Sequence, residues 1–384
     1  MNLQRLLDSA ENVAVDGTFV GSAPVIPQLT PQDINGIANL LGVSPKFLWF
    51  LSRTANNSYR GIRIPKSGGR FRQVWDPNRG LKFVQKRLTQ RLFSRIDKPS
   101  HVGAYVQGRS CRFTAEQHAG AAIILSMDLE NFFDSTPVGS VRSVLRQRGL
   151  TNVTARLIAD ICTLEGRVPQ GAPTSGDVCN LVAMSRLDPH IKGFLRDLPG
   201  KVSVIPTDAR WRRNYEYDWS SVKLTTNAEG VEYMVYKFPE DAKFVYTRYS
   251  DDLDVSCSVA LPRPIVDWML YKLTRFVRSA GYRVNTKKTK VERAGGRQVV
   301  LGMVVNQHPN VPRTKYLKYR ALIHNCLRTG FDAQASRAGF DSGLQLCMHL
   351  VGMVNYMGQV NPAKRDKLLP PLNEAKELHA AQLS

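Results

Sequence analysis

Between residues 79 and 96 the chain reads RGLKFVQKRLTQRLFSRI, with Leu81, Val84, Leu88 and Leu92 on one face and basic residues on the other. That spacing predicts a basic amphipathic helix. Two earlier runs, TPQDINGIANLLG and SPKFLWFLSR, predict helices opened by Thr30 before Pro31 and by Ser44 before Pro45. A side-chain oxygen satisfies an open first-turn amide, and proline has none to satisfy. RLLDSAENVAV near the start is also expected to be helical. The pattern changes in GIRIPKSGGRFRQVWD, which predicts a hairpin turning at Ser67-Gly68-Gly69. AAIILSMDLENFFD predicts a buried strand running into a turn, SVRSVLRQRG and NVTARLIADICTL predict helices, and PTSGDVCNLVAMSRLDPHIKGFLRDL predicts one long helix. SVKLTTNAEGVEYMVYKF predicts a second hairpin, with its turn at Asn227 to Gly230. PIVDWMLYKLTRFVRSAG predicts a helix stopped by Gly281, QVVLGMVVN a strand, and the chain from Pro312 onward is helical with a short polar tail. Helices and strands mix without regular alternation, so the expected class is α+β, with a mostly antiparallel sheet flanked by helical segments.

The chain has 384 residues, enough for two or three cored domains. Lys plus Arg is 53 against 32 Asp plus Glu, a net charge of +21 spread along the chain. Distributed positive charge fits a long polyanion lying across a folded surface. A basic choice for solubility or a membrane surface is the bland alternative, but no lysine-rich amphipathic membrane helix accompanies it. No apolar run approaches the roughly 20 residues of a membrane span, and the start does not read as a signal peptide. The six cysteines, with no C-x-x-C pair, read as reduced core residues of a cytoplasmic protein.

Against that basic background three aspartates stand out. Asp128 ends the apolar strand in ILSMDLENFFDS, and Asp251 and Asp252 sit between two strand-like runs in YTRYSDDLDVS. An adjacent pair alone reads as a solvated turn. A strand-end carboxylate and a hairpin pair that meet would need a cation, and Mg²⁺ takes a few carboxylates and completes its shell with waters and phosphate oxygens. Two such ions about 3.5–4 Å apart activate an attacking hydroxyl and stabilise a leaving pyrophosphate.

These residues carry a family resemblance. YSDD resembles the Y-x-D-D motif of reverse transcriptases, MDLENFFDS their first palm motif, VPQGAPTSGDVCN their P-Q-G-x-x-x-S motif, VNTKKTKV their later lysine motif, and VVLGMVVN the motif beside the primer grip. IPKSGGRFRQVWDPNRGLKFVQKRL resembles the fingers of the bacterial enzymes. The resemblance implies a right-hand polymerase fold with an antiparallel palm sheet, helical fingers and a helical thumb. It places fingers (N-terminal helices and basic hairpin) at 1–120, palm with part of the fingers and an insertion near 197–245 at 121–310, and thumb at 311–384. It implies two Mg²⁺ ions, with Mn²⁺ as the alternative, on Asp128, Asp251, Asp252 and the Leu129 carbonyl. Lys288 becomes a candidate to neutralise pyrophosphate, although Lys287 and Lys290 make a simple basic loop an alternative. Phe133 falls where the family sets an aromatic under the sugar, with Phe132 as the competing core residue. Lys66 and Arg72 would reach the triphosphate and Gln170 and Gly171 would lie over the nucleotide, while Asp254 reads as structural.

HVGAYVQGRSCRFTAEQHAG, VVNQHPNVPRTKYLKYRALIHN and HLVGMVNYMGQVNP are similar to the retron branch. The first two add Arg109, Arg313, Lys315, Lys318 and Arg320 as candidate nucleic-acid contacts, and Tyr249 of YSDD is expected to pack near the primer end. The branch implies RNA-directed DNA synthesis on a cognate non-coding RNA, priming from a 2′-hydroxyl to give branched RNA–DNA (msDNA), dNTP substrates, and anti-phage defence with a separate effector protein. The chain departs at Val300-Leu301-Gly302, where the branch commonly has V-T-G, and at Gly176, where many relatives have proline. The basic, aromatic stretch DARWRRNYEYDWSSV in the insertion suits base stacking, and equally an inserted hairpin or a protein-docking surface. Group II intron, diversity-generating and abortive-infection reverse transcriptases are the alternatives within this chemistry, and a catalytically silent RNA-binding palm protein the alternative outside it.

Overall fold

A computed structural model describes residues 31–65, 69, 71–207 and 222–383. Lys66, the first expected helix, Thr30 and most of the basic, aromatic stretch of the insertion lie outside the described residues. The elements in chain order are α1 (Ile34–Leu41), α2 (Pro45–Thr54), β1 (Tyr59–Pro65), β2 (Phe71–Pro77), α3 (Arg79–Arg87), α4 (Cys111–Glu116), β3 (Ile123–Asp128), α5 (Val138–Gln147), α6 (Asn152–Ile161), α7 (Ser175–Arg186), α8 (Asp188–Arg196), β4 (Val202–Pro206), β5 (Lys223–Thr226), β6 (Glu232–Lys237), β7 (Phe244–Tyr249), β8 (Asp252–Cys257), α9 (Arg263–Ser279), β9 (Lys290–Arg293), β10 (Val299–Val300), β11 (Met303–Val304), α10 (Arg313–Thr329), α11 (Phe331–Ala338), α12 (Gly343–Val360) and α13 (Pro362–Leu383). The mixed helix and antiparallel sheet are the expected α+β class.

Two compact units divide the chain, one within Met1–Arg109 and Leu125–Val291, the other within Ser110–Ile124 and Glu292–Ser384. The first holds most of a four-stranded sheet ordered β7-β8-β3-β9, a three-stranded sheet ordered β4-β6-β5, and the β1–β2 hairpin. In the second, Ile124, Val300, Met303, Ile323, Phe331, Leu350 and Met357 belong to one buried apolar cluster. Among the described residues no helix is long and apolar enough to cross a membrane.

Local chemistry explains most boundaries. Ser44 caps α2 by accepting from the Phe47 amide at 3.2 Å, with Pro45 at the first helical position. α1 starts later than its sequence pattern, at Asp33, whose side chain accepts from the Gly36 amide at 2.7 Å. Leu81, Val84, Leu88 and Leu92 are all fully buried, but the helix they predict is regular only through Arg87. It continues as a π-helical turn over 88–92 and a 3₁₀ turn over 93–95. The long helix expected over 173–198 is two helices, α7 and α8, with a break at Leu187. Pro189 sits in the first turn of α8, and a proline disfavours helical backbone in the residue before it and removes a helical donor. The strand expected in QVVLGMVVN is a tight hairpin, Val300 opposite Met303, with Leu301 and Gly302 both at positive φ (49° and 77°).

Candidate active site

The turn between β7 and β8 is as short as a hairpin allows. Tyr249 pairs with Asp252, leaving only Ser250 and Asp251 between the strands. Ser250 takes a left-handed φ of 60°, a conformation suited to two-residue hairpin turns. Asp128, at the end of β3, is brought to this turn by backbone bonding. The Leu129 amide donates to the Asp251 carbonyl at 2.9 Å. On the other side the Asn285 amide donates to the Asp128 carbonyl and the Glu130 amide to the Arg283 carbonyl, each at 2.8 Å. This ladder uses the Asp128 carbonyl and the Glu130 amide and does not engage the Leu129 carbonyl. The Leu129 side chain is buried in the core.

The three carboxylates share one electrostatic environment. Burial, then the charges of Asp251 and Asp128, push the Asp252 carboxyl up to about 6 from 3.8. Lys288 answers that charge: its ammonium lies 2.7 Å from Asp128 Oδ2, while Asn285 Nδ2 donates to Oδ1 at 3.3 Å. The hydrogen bond to Asp128, with its charge and those of Asp251 and Asp252, raises the Lys288 ammonium despite a smaller loss from burial. Among the described residues no three acidic, histidine or cysteine side chains converge as a metal set, and Asp128 Oδ2 accepts from Lys288. Hard oxygen donors whose burial and mutual repulsion together raise a carboxyl pKa fit a divalent cation. Asp254 is apart from them: it is buried and accepts from Ser126 Oγ at 2.5 Å, joining β8 to β3.

The Asp252 shift gives a stability prediction. A carboxyl with a raised folded pKa penalises the fold once ionised, from its unfolded pKa upward and fully above about pH 6. In metal-free buffer at pH 8, Asp252→Asn should stabilise the protein by at most about 3 kcal/mol, and the gain should fade toward pH 4. Melting curves in chelator across pH check this, and a gain independent of pH would contradict it.

Next to the turn is a cleft of about 570 Å³, lined by Ile64, Arg72, Val74, Tyr105, Phe133, Gln170, Gly171 and Gly176. Four of the expected nucleotide contacts, Arg72, Phe133, Gln170 and Gly171, therefore share one cleft. Phe132 is core, packed on Tyr282 at 5.4 Å between ring centroids, while Phe133 is half-buried and lines the cleft. Gly171, at φ 111°, makes a close approach to β2, where a Cβ would strike Val74 and the Trp75 backbone. Gln170 holds the same strand by accepting from the Trp75 amide at 2.8 Å. The glycine is thus explained by the docking of the hairpin that carries Arg72.

The other candidates divide. Tyr249 closes the hairpin opposite Asp252. The Arg109 guanidinium donates to the carbonyls of Lys98, Pro99 and Val102 at 2.5–2.6 Å, so it braces the 98–109 loop. Arg313, Lys318 and Arg320 are exposed on α10 in the second unit, and Lys315 is half-buried there with its ammonium 4.7 Å from the Tyr356 ring centroid.

Two elements of the site escape motif reading. Arg248, fully buried, makes a bidentate pair with Asp188 (3.0 Å and 3.0 Å) and donates to Asn180 Oδ1 at 2.7 Å. Tyr246 Oη donates to Asp188 at 2.8 Å and His101 Nε2 lies 3.2 Å from it. Burial alone would raise the Asp188 carboxyl, but the Arg248 charge and the His101 and Arg248 hydrogen bonds hold it well below the usual range. The signal was an arginine inside an apolar strand, which demands a buried acid. The second element is Tyr105. Burial raises its hydroxyl, the Ser250 hydrogen bond opposes this, and the Asp251 charge adds to it.

A carboxylate hairpin beside a strand-end carboxylate, in an antiparallel sheet next to a nucleotide-sized cleft, is the arrangement of a nucleic-acid polymerase. The chain belongs to the reverse transcriptase (RNA-dependent DNA polymerase) family, whose model matches residues 64–321, and the right-hand polymerase fold goes with that family. It is 29% identical over 356 residues to the retron Mx65 reverse transcriptase of Myxococcus xanthus, covering 86% of this chain and 69% of that protein. It is 27% identical over 381 residues to the retron Mx162 reverse transcriptase of the same organism, covering 90% and 67%. To the retron Ec86 reverse transcriptase of Escherichia coli it is 25% identical over 297 residues, covering 77% and 78%. The protein is an RNA-directed DNA polymerase of the retron type.

Proposed function

We propose that this polymerase copies a cognate structured non-coding RNA, using it as both template and primer, and produces branched RNA–DNA (msDNA) in the cytoplasm as part of an anti-phage system with a separate effector protein. The observation that carries the catalytic part is the bond from the Leu129 amide to the Asp251 carbonyl, which sets Asp128 beside the Asp251–Asp252 turn. Asp128, Asp251 and Asp252, with the Leu129 carbonyl, would hold two Mg²⁺ ions, or Mn²⁺ in their place. Such ions would supply a lowered pKa for the attacking hydroxyl and charge stabilisation on the transferred phosphoryl group. Lys288 holds Asp128 until phosphate arrives and then turns its ammonium to the pyrophosphate. Arg72, with Lys66, binds the triphosphate by charge-assisted hydrogen bonds. Gln170 and Gly171 lie over the nucleotide, and Phe133 excludes the 2′-hydroxyl. Tyr249 packs near the primer end, and Arg313, Lys315, Lys318 and Arg320 hold the template–primer backbone. Fingers (1–120), palm (121–310) and thumb (311–384) share these tasks.

The test is primer extension by the purified chain on an RNA template with Mg²⁺ and dNTPs. Extension is expected, and chelator should stop it. Phe133→Ala should admit ribonucleotides, lowering sugar selectivity by about tenfold or more. Unchanged selectivity would return Phe133 to a packing role, and no extension by the wild-type chain would overturn the functional reading.

A further inference from the structure

Several observations meet at Tyr105. Its backbone is left-handed, φ 57°, a conformation that strains a residue with a Cβ. The chain around it holds it there. Asn180 Nδ2 donates to the Ala104 carbonyl at 2.8 Å and the Gly103 amide to the Arg248 carbonyl at 2.9 Å. The ring lies across Gly176 in the first turn of α7, where a Cβ would collide with it. It stands edge-on to Phe133, 6.2 Å between centroids at 71°. Its hydroxyl is 3.3 Å from Ser250 Oγ, in the turn next to Asp251. Yet Tyr105 is 51% exposed and lines the cleft. A ring that served packing alone would not need a strained backbone and a neighbour without a side chain to remain half open.

We propose that Tyr105 is a specificity-determining residue of the cleft: its ring and that of Phe133 form adjoining walls that hold the incoming deoxyribose, and its hydroxyl ties that wall to the catalytic turn through Ser250. This rests on the cleft being the deoxynucleotide site. Ring and hydroxyl then have separable effects. The ring sets nucleotide affinity and sugar selectivity, and the hydroxyl sets how well the carboxylate turn is held once the nucleotide is in place. The glycine at position 176, a departure from many relatives, is the space the ring requires.

Single-nucleotide incorporation kinetics with dNTP and rNTP test this. Tyr105→Ala should raise KM for dNTP about tenfold and reduce sugar selectivity by a similar factor. Tyr105→Phe should keep KM and selectivity near wild type and lower kcat about threefold, the loss of one neutral hydrogen bond. Gly176→Ala, which displaces the ring, should shift KM and selectivity in the direction of Tyr105→Ala. Wild-type KM and selectivity in Tyr105→Ala would overturn the proposal. If Tyr105→Ala does not hold its fold in melting curves, Tyr105→Leu should show the same KM and selectivity shifts, and wild-type values in that variant would equally overturn it. Asp251→Asn in the same assay separates the two levels. Activity surviving in Asp251→Asn would overturn the site and the proposal with it, whereas an inactive Asp251→Asn beside an unaffected Tyr105→Ala overturns the Tyr105 role alone.

Discussion

Asp251→Asn should abolish dNTP incorporation, a loss of at least about a thousandfold, or about 4 kcal/mol of transition-state stabilisation. The change keeps the shape of the side chain and removes one of the charges that would hold the reacting ions. It should not damage the fold. The Asp251 charge raises the Asp252 carboxyl, so its removal relieves repulsion inside the turn. RNA binding, which draws on a net charge of +21 spread along the chain, should be nearly unchanged. Incorporation assays and RNA binding measured on the same preparation separate these effects. Incorporation that survives the substitution would remove Asp251 from the metal site.

The second large effect lies behind the turn. Arg248→Met leaves Asp188 buried without its bidentate partner and should cost about 3–5 kcal/mol. At about 1.2 °C per kcal/mol for a chain of 384 residues, melting should fall by roughly 5 °C. The double variant Arg248→Met with Asp188→Leu should recover part of that loss, because neither buried charge remains to be paired. Losses that simply add would show that Arg248 and Asp188 do not act as a pair. Since the Arg248 amide donates to the His101 carbonyl at 2.7 Å and its carbonyl accepts from Gly103, the same residue joins the β7–β8 hairpin to the loop carrying Tyr105. The depressed Asp188 carboxyl contributes stability at neutral pH that is lost only as pH falls below the ordinary carboxylate range.

How much of this was legible in the sequence depends on the range of the interaction. The Tyr249–Asp252 turn, the Ser44 cap and the β1–β2 hairpin are local, and each was readable from a few neighbouring residues. The split between α7 and α8 was readable too: Pro189 marks it, but the apolar run on either side suggested one helix. The roles of Phe132 and Phe133 could not be separated along the chain, because adjacent positions differ only in which side of the turn faces Tyr282. Arg109 reads as a candidate nucleic-acid contact in the sequence, and a basic residue in a loop gives no hint of the three carbonyls to which its guanidinium donates. Tyr105 and Gly176 are 71 positions apart, and nothing near either residue announces that one ring fills the space the other leaves. The Val300–Met303 hairpin was missed because Leu301 is a poor turn residue by composition, and only its positive φ reveals the turn.

Synthesis of DNA on a cognate RNA is tested by sequencing the nucleic acid that copurifies with the protein from cells expressing it together with its neighbouring genes. A discrete DNA joined to a single RNA species through a 2′ linkage is expected, and its absence from an Asp251→Asn preparation should follow. Copurification of heterogeneous RNA with no attached DNA, identical for wild type and Asp251→Asn, would mean that the protein does not make DNA on a cognate RNA.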